Sequence, residues 1–423
     1  MTALSFRSPP RSIVIERLRT GENSLAASRR TDANVVREMS IAYSNDDTPH
    51  TMAELYSMPR VMLAARLAGA VSACFILAAC GGGGGGGGGI TTTSVPTIAT
   101  PSVLGQSAYP PEWPAWTGTS VFLQNLDARN PASHIASWSS RALNEYNTNH
   151  NGMGSWTTFT PLQIGNANDG SSPVYIAQNS DPTFTIHCTE YPCPSVEGSA
   201  IHIPIPYIVE SNGGGDGHFG VMSPDKTRVY SFYQMKQPSG SSVNASSGMM
   251  LLTNGIGFST VYGGASNAAQ ASFIAGTVTA YDLLRGVIQH ALIVAAPCES
   301  GKVYPTIADP DGPCASGNGA PMGARIWLNM SDAQIEALGM PVTKTIVAKA
   351  LAHYGAFIMD SAGAQAWSIH RDGAGAPASA IARWTSLKAT VLGGSNVWLS
   401  DGWPSALVNS FRFLDPCVTA LTC

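Results

Sequence analysis

Apolar residues fall along this chain in three regimes. Residues 1–57 are polar, rich in Arg and Ser, and show no sustained apolar period, the composition of a segment that buries too little surface to order itself. A continuous apolar run, Leu67 to Ala79, follows Arg60 and Arg66 and ends at Cys80. The glycines Gly81 to Gly89 come next, then a Thr-, Ser- and Pro-bearing stretch reaching residue 111. Only beyond that point do apolar positions recur with a period that specifies structure.

In this last region short runs of β-branched and aromatic residues alternate with turn residues. Strands are expected at Val174–Ala177, Thr183–His187, Ala200–Val209, Phe219–Met222, Arg228–Met235, Met249–Thr253 and Gly257–Tyr262. Turn clusters at Asn168–Gly170, Ser211–Gly217 and Pro238–Ser242 separate them, and such spacing predicts an antiparallel sandwich or barrel. Helical spacing interrupts the pattern. A short helix is expected over Ser137–Tyr146, and Thr279 to Asp282 and Ser331 to Gln334 have the spacing of capping boxes. From Thr343 onward, Ile346, Val347, Ala350, Leu351 and Tyr354 share one helical face, with Gly355 at the C-terminal cap. Ala356–Asp360 and Gln365–Ile369 read as a hairpin across Ser361–Gly363. The fold class expected is mainly β, a jelly-roll-like antiparallel sandwich with a few covering helices; an α+β fold with a mixed sheet is the alternative. Residues 112–423 are expected to form this as a single domain, with Tyr109–Trp116 packing an irregular segment against it.

Composition narrows the compartment. Only 12% of residues are charged, against 44 glycines and 28 prolines. Beyond position 80 there are 20 acidic and 14 basic residues and no basic run, which argues against nucleic acid as a partner. Six cysteines follow Cys80 in close pairs: Cys188 and Cys193, Cys298 and Cys314, Cys417 and Cys423. An even count in an exported chain predicts disulfides, and local pairing is the simplest of the 15 connectivities. No CxxC spacing supports a metal site, so neither metal nor cofactor is expected.

Two resemblances add to this. Leu77-Ala78-Ala79-Cys80, behind a basic and then an apolar stretch, resembles the lipobox that ends the signal peptide of bacterial lipoproteins. Residues 58–80 would then be the signal peptide, and 1–57 either a disordered leader or a misassigned start. A transmembrane helix over Val61–Ala79 is the competing reading, but spanning takes about 20 apolar residues and Arg66 interrupts this run. The resemblance implies that Cys80 is acylated, contributing about 0.8 kcal/mol per buried CH₂, and that a lipid membrane is a partner. Gly81 in place of Asp after that cysteine implies sorting to the outer membrane. Residues 81–111 would be the tether, the glycine part reaching roughly 5–6 Å times the square root of its length. Separately, Asp216-Gly217-His218, His290-Ala291-Leu292, Gly323-Ala324-Arg325 and Tyr354-Gly355-Ala356 resemble motifs of an uncharacterised family of secreted bacterial jelly-roll-like proteins. That likeness also extends to modules of polysaccharide-acting proteins, so fold analogy, not a motif, brings carbohydrate into view.

The candidate chemistry is concentrated at Glu210–Asp225. A glycine-rich loop precedes Asp216 and His218, which project to one side if extended and could polarise water or act as acid and base, with Glu210 as a second carboxylate. Tyr230 and Tyr233 are candidate sugar-contacting residues on the strand downstream, and His290 either points into a cleft or is a core histidine. Asp309–Gly312, clamped between Cys298 and Cys314, reads as a disulfide-held loop, and His353 as a packing residue. G-x-S-x-G, H-E-x-x-H and Walker motifs are absent from the sequence. The functional expectation is a surface-anchored polysaccharide hydrolase or lyase with an Asp/His site; a non-catalytic carbohydrate- or envelope-binding lipoprotein is the alternative.

Overall fold

The structure is a computed structural model that describes residues 108–113, 116–117, 119–147, 162–163, 171–205, 217–264, 266–361, 368–369, 371–372, 378–395, 397–399 and 402–423. Cys80, the tether, Glu210 and Asp216 lie outside the described residues. Three larger sheets are built from β1 (Val174–Ile176), β2 (Thr183–Cys188), β3 (Ala200–His202), β4 (Phe219–Met222), β5 (Arg228–Tyr233), β6 (Ser242–Ala245), β7 (Ser247–Leu252), β8 (Leu292–Ala296), β9 (Arg325–Leu328), β10 (Ala356–Ser361), β11 (Ser368–Ile369) and β12 (Phe411–Phe413).

Two of these sheets share a core. The first has order β1-β4-β5-β7 and the second β3-β2-β6. Period-2 alternation sorts the side chains of the first sheet between two cores. Phe219, Val221 and Phe232 join Phe184, Ile186 and Val243 of the second sheet, whereas Met222, Val229, Met249 and Leu251 join the main core. Both faces are therefore buried. The third sheet, in order β11-β8-β10-β9-β12, is apolar on both faces along β8, β9 and most of β10, as strands covered on both sides require.

Each larger sheet contains one parallel pair: β1 with β4, β2 with β6, and β8 with β10. The uniformly antiparallel sandwich expected first does not form; the sheets are mixed, and the architecture is α+β. Three local departures accompany this. Gly257–Tyr262 makes a single bridge, Phe258 to Ala271, and no strand. β10 and β11 are not a hairpin: both pair with β8, on opposite edges of it. Ser242–Ala245, expected only as the end of a turn, is a strand, its alternate Val243 and Ala245 buried against Ile186.

The helices follow their end signals. Both capping boxes form, at Thr279/Asp282 and Ser331/Gln334. The helix Val342–His353 buries Ile346, Val347, Ala350 and Leu351 and closes just before Gly355, whose φ is +70°. Tyr109, Trp113 and Trp116 are buried in the main core, so the aromatic N-terminal segment does pack against the body. The disulfides are the local ones: Cys188–Cys193, Cys298–Cys314 and Cys417–Cys423. Among the described residues no helix is long and apolar enough to cross a membrane.

Candidate active site

A cavity of about 550 Å³ opens where three segments meet: the β4–β5 strand ends, the 262–270 loop, and the disulfide-held loop with the end of β10. His218 immediately precedes β4 and Tyr233 ends β5; the antiparallel register sets Phe219 opposite Phe232, which brings the two rings beside each other, 5.9 Å between centroids. Tyr191, beside the Cys188–Cys193 loop, and Tyr262 add two exposed aromatic rings, 53% and 65% accessible. The 262–270 wall is held close by Gly264. Its φ is +77°, and a Cβ there would lie 2.4 Å from the Cys193 backbone, so only glycine lets the two loops meet.

The remaining wall is acidic. Asp309 and Asp311 come from the loop that Cys298–Cys314 closes, and Asp360 and Ser361 from the end of β10. A bulge sets the aim of Asp360: the β8–β10 register passes from Val294/Ile358 directly to Ala295/Asp360, stepping over Met359. The loop is closed on itself by backbone bonds from Glu299 N to Gly312 O (2.9 Å) and from Cys314 N to Glu299 O (2.8 Å). Beneath it, the Tyr146 hydroxyl donates to Cys298 O (2.7 Å) and accepts from Ala320 N (2.9 Å). Ser361 Oγ donates to Asp311 Oδ2 (3.2 Å) and Ser361 N to Asp360 Oδ1 (2.9 Å). Gly312 permits this closeness, since a Cβ would sit 2.4 Å from the Ser361 side chain and 3.6 Å from Glu299 Oε2.

Glu299 is fully buried behind this wall, and neither carboxylate oxygen has a hydrogen-bond partner among the described residues. Burial, reinforced by the Asp311 charge, pushes its carboxyl up to about 8. Burial likewise raises Asp360 well above the carboxylate range, with Asp311 adding both its charge and a shared hydrogen bond, and Glu299 a further repulsion. Three carboxyl groups thus share fewer than three negative charges. Asp309 is paired with Lys302 at 2.8 Å, and no lysine or arginine is among the described residues lining the cavity. Chemically the wall is a proton store: a group that keeps its proton near neutrality can donate it to a leaving oxygen.

Of the residues singled out in the sequence, His218 and Tyr233 meet at this cavity, and Glu210 and Asp216 fall outside the described residues. Tyr230 lies on the other face of β5, half-buried against the second core. His290 is fully buried: its ring stacks on Tyr109 at 4.8 Å, its Nδ1 lies 2.9 Å from Ala291 O, and its Nε2 lies 3.7 Å from Asp282. His353, expected to pack, is 36% exposed and bridges Asp127 and Asp332 at 2.8 and 2.9 Å. Arg325, in one of the motifs of the family likeness, is buried and donates to the carbonyls of Gln124 and Tyr354. The sequence reading missed Glu299 and Asp360. Each is a lone acid at the end of an apolar strand, which was the available signal.

Among the described residues, the groups of three ligand-type atoms close enough to share a metal ion each include both sulfurs of a disulfide, whose bond to each other leaves no thiolate. No family model matches the chain, and no curated protein or solved structure matches it.

Proposed function

We propose that this protein is a lipid-anchored hydrolase of the bacterial cell envelope that cleaves a polysaccharide in the cavity bounded by His218, Tyr233, Asp311 and Asp360. The observation that carries the reading is the convergence of a proton-holding carboxyl (Asp360), its acidic neighbours, a histidine and exposed tyrosines on one opening. Tyrosine rings cover the apolar faces of sugars, and a protonated carboxyl supplies the acid that a glycosidic oxygen needs to leave.

The roles follow from environment. Asp360 donates its proton to the leaving oxygen as the C–O bond breaks, and Asp311, sharing a hydrogen bond with it, takes up the repulsion that keeps that proton bound. Two carboxyls in hydrogen-bond contact are too close to divide acid and nucleophile between them, since retaining glycosidases hold theirs about 5 Å apart. They act as one acid. The base falls to His218, which takes a proton from the water that attacks the anomeric carbon. The new O–H and the new C–O bond balance the one proton given and the one bond broken.

The anchoring half of the proposal rests on Leu77-Ala78-Ala79-Cys80 and the glycine tract after it. Mass spectrometry of the mature N-terminus should find acylated Cys80, and an unmodified thiol there would refute it. The catalytic half is tested by product release from a panel of polysaccharides. Asp360→Asn should lower turnover by about 10²–10⁴-fold with the fold retained; undiminished turnover would remove Asp360 from the mechanism. Polysaccharide retained without cleavage would leave a binding protein instead.

A further inference from the structure

The charge of the cavity bears on the class of substrate, given that the reading above of a carbohydrate site holds. Its described lining has three acids, Asp309, Asp311 and Asp360, with His218 the sole basic side chain. Lys302 compensates Asp309 alone. Behind them the fully buried Glu299 holds two carboxylate oxygens without partners. Burying that carboxyl without a counter-ion is costly for its charged form, and among the described residues the carboxyls in front of it face only each other and Ser361: Ser361 Oγ donates to Asp311, and Asp360 shares a hydrogen bond with it. The site therefore carries an excess of acceptors and a deficit of cationic donors.

We infer that the cavity takes an amino-sugar polymer, binding its protonated amine against Asp311 with the sugar rings on Tyr191, Tyr233 and Tyr262. An ammonium supplies three donors and one positive charge, which is what the acidic wall lacks. The tyrosine faces attract the same charge by their quadrupoles. A uronic-acid polymer would meet repulsion from the same wall, and an N-acetylated polymer would bring an amide with one donor and no charge. About 550 Å³ lies within the range of small-ligand sites, and one lining carries both the tyrosines and the acids.

One consequence separates this from generic sugar binding. Burial, reinforced by the charge of Asp311, makes Glu299 and Asp360 keep their protons. Around them stand Asp311 and Asp309 on the loop, His218 and Tyr233 at the strand ends, and Tyr191 and Tyr262 on the neighbouring loops. Delivering an ammonium to Asp311 offsets the charge that helps hold the Glu299 proton, so binding should release that proton while Asp360 keeps the one it gives to the leaving oxygen.

The experiment is titration calorimetry on the full-length protein at about pH 6, where an amine of ordinary basicity is charged, in buffers of differing ionisation enthalpy. The probes are a β-1,4-linked glucosamine oligomer, the same oligomer fully N-acetylated, and an oligogalacturonate. The free-amine oligomer should bind at least about tenfold more tightly than the acetylated one, lose affinity as salt rises, and release protons. Asp311→Asn should reduce the preference for the free amine by at least about tenfold, read as the ratio of the two oligomers' affinities on the same variant. Glu299→Gln should reduce the proton release. Equal or tighter binding of the acetylated oligomer or the galacturonate, no binding of the amine, or binding without proton release would each overturn the inference. Binding of the amine oligomer without cleavage would sink the hydrolase reading alone, and cleavage confined to neutral polymers would sink this inference alone.

Discussion

The cluster around His353 and the wall around Asp360 are both dense in carboxylates, and they differ in what stands opposite. At the first, His353 reaches Asp127 and Asp332, and Lys349 reaches Asp332 at 3.4 Å and Glu336 at 2.6 Å, all at least a quarter exposed. At the second, Glu299, Asp311 and Asp360 have each other, one serine and a closed protein interior behind them. Burial opposes charge on His353 and Lys349, but neighbouring carboxylates outweigh it and their proton affinity rises. On the cavity wall, burial and like charges act together, and Glu299 and Asp360 keep their protons. Residue type alone does not separate a structural ion-pair network from a reactive site; the presence or absence of a counter-ion does.

The contrast can be broken most severely at Glu299. Its carboxyl ionises at about 8 in the folded chain and near the ordinary value of 4.5 when unfolded. Between these limits the folded state binds more protons, so stability falls as pH rises, by up to roughly 5 kcal/mol in total at about 1.4 kcal/mol per unit. Glu299→Gln should flatten that slope in denaturant unfolding across the interval; an unchanged slope would mean that Glu299 is not the group holding the proton. The loop that carries Asp309 and Asp311 comes next. Cys298→Ser with Cys314→Ser opens a 16-residue closure and should cost about 3 kcal/mol in the chain-entropy model. Turnover should fall further than stability, because Asp311 leaves Asp360; equal losses would make the disulfide merely structural. At the exposed network the effect should be smallest. His353 gains proton affinity on folding, so its contribution is present below about 6.5 and is lost as pH rises through its folded value. His353→Gln should cost on the order of 0.5 kcal/mol at pH 5, less at pH 8, and leave turnover untouched.

The sequence made local features legible and distant ones obscure. Capping boxes and the Gly355 helix stop depend on residues within a few positions, and the cysteine pairs on partners at most 16 residues apart, and all form. His218 and Tyr233 were visible because they flank adjacent strands. That Tyr230 could not join them follows from period-2 alternation, since 230 and 233 have opposite parity on one strand. Parallel pairing was not legible: β8 and β10 are separated by some sixty residues, and nothing in either apolar run specifies its partner. For the same reason Glu299 and Asp360 read as isolated strand-end acids. Only the β8–β10 pairing and the bulge at Met359 bring them to one wall.

The central claim is that this wall keeps protons which an ordinary carboxylate surface would have lost, and isotope-edited infrared spectroscopy of the Asp and Glu carboxyls reads that directly. At neutral pH the full-length protein should show protonated side-chain carboxyl bands that shrink in Glu299→Gln and in Asp360→Asn and persist in His353→Gln. Carboxyls that are all ionised at neutral pH would contradict the account.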